Sequence, residues 1–197
     1  MRPLLLCLCL LAAPATADEV QLARARAIVA GSCFLCHGMQ GEAASELYPQ
    51  LAAQNAAYLA KRLANFKSGE RVSKTMQPMV AALTPDDMRA LGLNFSRQRS
   101  ALHAPADAGL TERGREIYAR GGVATEVAAC IGCHGGRGHG SEKLPRLAGQ
   151  VASYLVAQIR SFGARERTND NAVMHTIAAK MTPAEARAVA EYLSGLD

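Results

Sequence analysis

The chain has 197 residues, 49% of them hydrophobic and only 5% aromatic, with no tryptophan and a formal charge of +5. That length fits one medium domain or two small ones, and so few large rings leave little with which to build two ordinary cores. The positive balance is not read as a nucleic-acid signal, because the cofactors argued for below bring carboxylates that cancel most of it.

Residues 1–17 read as a cleaved secretory signal peptide. Arg2 is a short positive start, Leu4 to Ala13 form an apolar run, and Ala15-Thr16-Ala17 is an A-x-A cleavage site before Asp18. The run is too short to span a bilayer, and no later stretch is long and apolar enough either. Leu4-Leu5-Leu6-Cys7 is a poor lipoprotein signal, because Leu6 is not small. The expectation is an exported, soluble, periplasmic protein. Of six cysteines, Cys7 and Cys9 fall in the leader. The remaining four are Cys33, Cys36, Cys130 and Cys133.

Asp18 to Ala30 is predicted helical, with Val20, Ala23, Ala27 and Ile28 on one face, Arg24 and Arg26 outward, and an end at Gly31. Cys33-Phe34-Leu35-Cys36-His37 follows. A glycine-bearing loop leads to Tyr48-Pro49-Gln50-Leu51-Ala52-Ala53-Gln54 and a second helix to about Lys67. Ser68-Gly69-Glu70 breaks that helix, and Met76 and Met79 are placed in an irregular stretch. Thr84-Pro85-Asp86-Asp87 is a helix start with a Thr cap, Pro at the first position and acids in the first turn. That helix runs to about Ser96.

Residues 97–109 show no period and are read as a linker. The plan then repeats. Leu110 to about Ala119 is helical with Thr111 as a candidate cap, and Gly121-Gly122 breaks it. Cys130-Ile131-Gly132-Cys133-His134, Leu144-Pro145-Arg146-Leu147-Ala148-Gly149-Gln150 and Thr182-Pro183-Ala184-Glu185 match the earlier stretches. Tyr154 matches Tyr58 and Phe162 matches Phe66. The offset stays between 96 and 98 residues, which marks an internal duplication.

C-x-x-C-H is the attachment pattern of a c-type haem. The two cysteines form thioethers to the porphyrin, and the adjacent histidine is held against the iron as its proximal ligand. A zinc half-site or a redox cysteine pair is the bland alternative for one copy. Two copies at matching places of a repeat, in an exported chain without another thiol, favour two covalently bound haem c groups. They also argue against disulfides. Cys33, Cys36, Cys130 and Cys133 are therefore the attachment residues, and His37 and His134 the iron ligands.

The opposite axial position needs a later residue in each half. Met76 lies eight residues before Thr84 and Met174 eight before Thr182. Met79, Met88 and Met181 align with Ile177, Ala186 and Leu83. Met76 and Met174 are thus the candidate second ligands, with Met79 the rival in the first half. A methionine is more often core filler, and the duplication is what argues otherwise. His103, His139 and His175 have no counterparts and are read as surface histidines. Pro49 and Pro145 are candidates to orient His37 and His134 through neighbouring carbonyls. Tyr58, Tyr154 and the basic residues Lys67, Arg71, Lys74, Arg160, Arg165 and Arg167 are candidates to meet haem propionates or an acidic partner, or are simply core and surface.

These residues carry a resemblance. Cys33 to His37 with Pro49 to Gln54, Cys130 to His134 with Pro145 to Gln150, and a methionine followed by a Thr-Pro helix in each half resemble the dihaem cytochromes c of the cytochrome c4 type, over essentially the whole mature chain. Asn94-Phe95 against Tyr192-Leu193 departs from the family, which commonly has an aromatic near the earlier position. The resemblance implies an all-α protein of two tandem class I cytochrome c domains, residues 18–96 and 110–197, about a pseudo-twofold with the haem propionate edges close. It implies His–Met ligation at both irons and periplasmic electron transfer without catalysis. The implied partners are redox proteins, such as a membrane-bound oxidase or reductase. The rival readings are a haem enzyme with an open iron site, or a haem-bearing subunit of a dehydrogenase or sulfur-oxidising complex.

Overall fold

A computed structural model describes residues 16–101, 103, 107–169 and 171–197. Most of the expected signal peptide, with Cys7 and Cys9, and positions 102 and 104–106 of the expected linker lie outside the described residues. The described chain is helical, with one isolated bridge pairing Gly122 and Val127.

The first half contains α1 (Ala17–Ile28), a π-helical turn (Val29–Cys33), α2 (Phe34–His37), α3 (Ala56–Ser68), α4 (Met76–Val80) and α5 (Pro85–Ser96). In the second half are α6 (Ala108–Arg120), α7 (Ile131–His134), α8 (Ala152–Gly163), α9 (Val173–Ala178) and α10 (Pro183–Ser194). The terminal helices of each half cross: α5 packs on α1 and α3, and α10 on α6 and α8. Two separate cores result. One gathers Ala25, Val29, Leu59, Ala90, Leu91 and Phe95. The other gathers Ile117, Tyr118, Leu155, Ala188, Val189, Ala190 and Leu193.

The Thr-Pro starts form as their chemistry dictates. Thr84 and Asp87, and Thr182 and Glu185, each make a reciprocal capping box at the start of α5 and α10. Asp87 also reaches out of its helix, accepting from Arg24 Nε at 2.7 Å and so tying α1 to α5. Its side chain is 6% exposed.

Several expectations are corrected. Helix α1 does not end at Gly31. The chain continues through a π turn into the first cysteine motif, because Gly31 does not take the positive φ with which a glycine ends a helix. Nor does α1 bury Val20, Ala23 and Ala27, which are exposed; Ala25 and Val29 point inward. Alanines occupy nearly every side of this helix, so its apolar period is weak. Helix α6 begins earlier than Leu110 and is capped by Asp107, whose carboxylate accepts from Leu110 N at 3.0 Å, not by Thr111. Met76 and Met174 lie on short helices, α4 and α9, not in irregular stretches. Thr16, inside the expected leader, caps α1 through a box with Glu19.

The Arg24 hydrogen bond, together with the Thr84 backbone amide, holds the Asp87 carboxyl well below the usual carboxylate range. A depressed native pKa adds stability above the unfolded value, near pH 4, that is lost as pH falls. Asp87→Ala is expected to lower the stability of the holoprotein by about 1–3 kcal/mol in denaturant unfolding near neutral pH. The gap to the parent should narrow below about pH 4; a gap as wide at about pH 3 as at about pH 7 would refute the assignment.

Candidate functional site

Each cysteine motif ends in one short helical turn stopped by glycine. Gly38 and Gly135 share φ near 80° with ψ of 163°, a conformation closed to other residues, and this turns the chain away directly after the histidine. The loop beyond is pinned by matching bonds. Leu51 and Ala52 donate to the Gly41 carbonyl, and Leu147 and Ala148 to that of Gly138. The backbone N–H groups of Ala53 and Gly149 reach the carbonyls of Phe95 and Leu193, near the ends of α5 and α10. The Pro49–Gln54 and Pro145–Gln150 stretches are thereby clamped under the motif in each half.

That clamp places the histidines. His37 and His134 are both 7% exposed. Their Nδ1 atoms face the carbonyls of Pro49 at 3.0 Å and Pro145 at 3.4 Å. The orienting carbonyls are thus the prolines' own. With Nδ1 engaged, Nε2 is the ring nitrogen left available to a metal. Burial pushes both imidazoles below their ordinary pKa, so they are neutral near pH 7 and competent as ligands.

One cavity of about 1160 Å³ is lined by both halves. It receives Cys33, Cys36, His37, Met76 and Met79 from the first, and Cys130, Cys133, His134 and Met174 from the second. All the candidate attachment and ligand residues therefore border one space, and so does the rival Met79. The volume exceeds the roughly 300–1,000 Å³ of a single-ligand pocket. Leu59, Leu63, Phe66, Leu91 and Phe95 form apolar walls on one side, and Leu147, Leu155, Phe162 and Leu193 on the other.

A set of cations sits where the halves meet. Arg71 donates to Tyr154 Oη at 3.0 Å and to Gln158 Oε1 at 2.9 Å. Its counterpart Arg167 donates to Tyr58 Oη at 3.5 Å and to the same Gln158 oxygen at 2.7 Å. Each arginine crosses to the other half's tyrosine while lying over its own half's ring, Phe66 or Phe162. Arg62 joins them against Tyr58, with Nε buried and unpartnered. Among the described residues none of the three makes an ion pair. Burial, followed by the neighbouring Arg71 charge, pulls the Arg167 pKa down. Such a concentration of unneutralised guanidinium in a cavity wall suits carboxylates brought by a ligand.

The site chemistry fits haem better than the alternatives. The four cysteines are free thiols, and burial pushes Cys130 up to about 11. A redox pair or zinc site needs a stabilised thiolate instead. No group of three or more metal-binding side chains converges among the described residues. His103, expected at the surface, instead has its Nε2 buried and without a hydrogen-bond partner among the described residues, while His175 and His139 are engaged elsewhere. His175 Nδ1 faces the Phe162 carbonyl at 3.0 Å and its Nε2 meets Arg165 Nε at 3.1 Å, while His139 Nε2 meets the Asp197 carbonyl at 3.0 Å.

Residue-type reasoning missed Arg62, Gln54 and Gln150. Gln54 and Gln150 end both repeated Pro-x-Leu-Ala-x-Gln stretches, and that recurrence was the available signal. Their side chains lock the two halves together. Gln150 Oε1 accepts from Gln50 N–H at 2.8 Å, and its Nε2 donates to the Gln50 carbonyl at 2.9 Å. Gln54 treats the Arg146 backbone in the same way, at 2.7 and 2.9 Å.

The cytochrome c family model matches residues 111–197. A cytochrome c4 from Thiocapsa roseopersicina is 37% identical over 170 residues, 84% of this chain and 88% of that one. A thiosulfate dehydrogenase electron acceptor from Stutzerimonas stutzeri is 37% identical over 175 residues, 84% of this chain and 79% of that one. The crystal structure of reduced recombinant cytochrome c4 from Pseudomonas stutzeri superposes with a TM-score of 0.83 at 30% identity, covering 89% of this chain and 98% of that one. Paired attachment motifs, an apolar cavity with guanidinium at its edge and these relatives agree: the chain is an electron-transfer protein with covalently bound haem c, not an enzyme, and belongs to the cytochrome c4 family of two-domain class I cytochromes.

Proposed function

We propose that this chain carries electrons in the periplasm between a respiratory donor and an acceptor such as a terminal oxidase, using two haem c groups, one in each half. The observation that carries the reading is the duplication of a complete site around one cavity. Each half brings its own cysteine pair, its own carbonyl-held histidine and its own methionine on a short helix.

Cys33 and Cys36, and Cys130 and Cys133, are the attachment residues. His37 with Met76, and His134 with Met174, are the axial pairs. Met79 borders the same space, but its counterpart is Ile177, so Met76 is preferred. Haem c, when bound, supplies reversible one-electron transfer. The protein orients the ligands through Pro49 and Pro145, excludes water with its leucine and phenylalanine walls, and receives propionates with Arg71, Arg167 and their tyrosines. Two ligands from the chain at each iron leave no position for a substrate, and a thioether favours the reduced state. Residues 1–17 serve as the cleaved export signal, 18–96 and 110–197 as the domains and 97–109 as the linker. No described helix is long and apolar enough to cross a membrane.

A second reading, a haem-bearing subunit of a dehydrogenase or sulfur-oxidising complex, is supported by the similarity to a thiosulfate dehydrogenase electron acceptor. Stoichiometric co-purification with a thiosulfate-oxidising polypeptide would favour it over a free carrier.

Intact mass of the exported protein should show two haems per chain and a start at Asp18; one haem would sink the proposal. Met76→Ala should turn one haem high-spin or change its ligand in the optical and EPR spectra, whereas Met79→Ala should leave both low-spin. The reverse result would move the ligand to Met79. Rapid stoichiometric binding of carbon monoxide by the reduced parent protein would contradict His–Met closure at that iron.

A further inference from the structure

The glutamine clamp and the histidine bond meet on one peptide group. The carbonyl of Pro49 and the N–H of Gln50 belong to the same amide. That carbonyl faces His37 Nδ1 at 3.0 Å, and that N–H donates to Gln150 Oε1 at 2.8 Å. A continuous chain therefore runs from the imidazole of the first half, through one peptide, to a side chain of the second. The second half repeats it in reverse. His134 Nδ1 faces the Pro145 carbonyl at 3.4 Å, and Arg146 N–H of that amide donates to Gln54 Oε1 at 2.7 Å. The glutamines are well placed for this. Each Oε1 also accepts the next backbone N–H, from Asn55 or Val151 at 3.0 Å, and all of Gln50, Gln54 and Gln150 are buried.

Resonance links the two ends of an amide. An acceptor on its N–H increases the negative charge on its oxygen, and such chains strengthen one another where water is excluded. A stronger acceptor on Nδ1–H makes the imidazole a better donor to iron. The better donor stabilises the ferric state more than the ferrous state and lowers the reduction potential.

We propose that Gln150 tunes the haem bound by His37, and Gln54 the haem bound by His134, each acting across the domain boundary through the amide that orients the opposite histidine. Both are positioning residues, since neither touches a haem ligand. The inference rests on the two-haem reading above. It makes the interface part of the redox chemistry. Each domain's potential depends on a residue that the other domain supplies. The shorter histidine contact lies in the first half, so Gln150 has the larger effect.

The test is a redox titration of the dihaem holoprotein. The two one-electron steps are assigned to their haems by NMR contacts with Tyr48 in the first half and Leu144 in the second. Gln150→Leu should raise the potential of the first haem and shift the electron's distribution toward it by about two- to fivefold, the share of one hydrogen bond that differs between oxidation states. Gln54→Leu should do the same for the second haem, by less. In the reduced protein, the His37 Nδ1 proton should move upfield in Gln150→Leu and stay in Gln54→Leu. Gln150→Glu keeps an oxygen acceptor for Gln50 N–H, so the first potential should not rise, even if the leucine variant folds poorly. A merely structural role predicts that each leucine variant disturbs the haem of its own domain, or both haems alike, and either pattern overturns the proposal. Two steps in the parent with no crossed shift overturn the tuning alone. Uptake of fewer than two electrons per chain by the parent overturns the two-haem reading and the tuning with it.

Discussion

The amide between Pro49 and Gln50, with its twin between Pro145 and Arg146, is the constraint on which both the site and the assembly depend. Its oxygen orients a histidine and its N–H receives a glutamine from the opposite half. Buried amides need both ends satisfied, and an unmade bond there costs about 1–3 kcal/mol. If the halves part, two peptide groups and two glutamine side chains lose partners together. The position of each histidine and the mutual placement of the domains are thus set by the same few bonds. This explains why the stretch from proline to glutamine recurs nearly unchanged, while the loops before it differ in length.

The cores could not hold the halves alone. Each gathers six or seven buried residues, two of them alanine. Larger side chains such as Leu63, Phe66, Leu147 and Phe162 line the shared cavity instead. Burying one of them fully stabilises by about 1.5–3 kcal/mol. The cavity wall therefore holds much of the apolar surface that folding could bury, and bound haem c would complete the packing. Covalent attachment suits this arrangement, since a cofactor that serves as core cannot be allowed to exchange.

Much of this was readable from residue types alone. C-x-x-C-H needs no tertiary context, and the Thr-Pro capping boxes at Thr84 and Thr182 are local chemistry that forms as written. The duplication singled out Met76 and Met174 as candidate ligands; both border the cavity, and so does the rival Met79. What failed were inferences from weak periodicity. In α1 alanines surround the helix, so the inward face fell to Ala25 and Val29, which no apolar stripe marks out. Gly31 reads as a helix stop, but it does not take the positive φ that would end the helix, and the chain runs on through it as a π turn. The roles of Gln54 and Gln150 escaped because they arise only between the halves. A polar side chain's partner 90 to 100 residues away leaves no local pattern, and only its recurrence in the repeat hints at a shared duty.

The repeat also separates what positions the site from what distinguishes its two copies. Residues that shape the backbone match, Gly38 with Gly135 and Pro49 with Pro145, and so do the side chains that clamp it, Gln54 with Gln150. Some of the side chains around this frame have diverged, although Tyr58, Phe66 and Arg71 keep their counterparts Tyr154, Phe162 and Arg167. Gln50 reaches the Ser100 hydroxyl and the Gly149 carbonyl and accepts from Ala101 N–H, so it fastens the segment joining the halves. Its counterpart Arg146 turns to the Ala148 carbonyl and lies 3.6 Å from the Asp197 carboxylate. Tyr48 stands where the second half has Leu144, and Met79 where it has Ile177. A strict twofold would give two identical environments and no reason for charge to favour either. Because the frame is shared and part of the lining is not, the halves keep one geometry while differing in charge and polarity around each histidine.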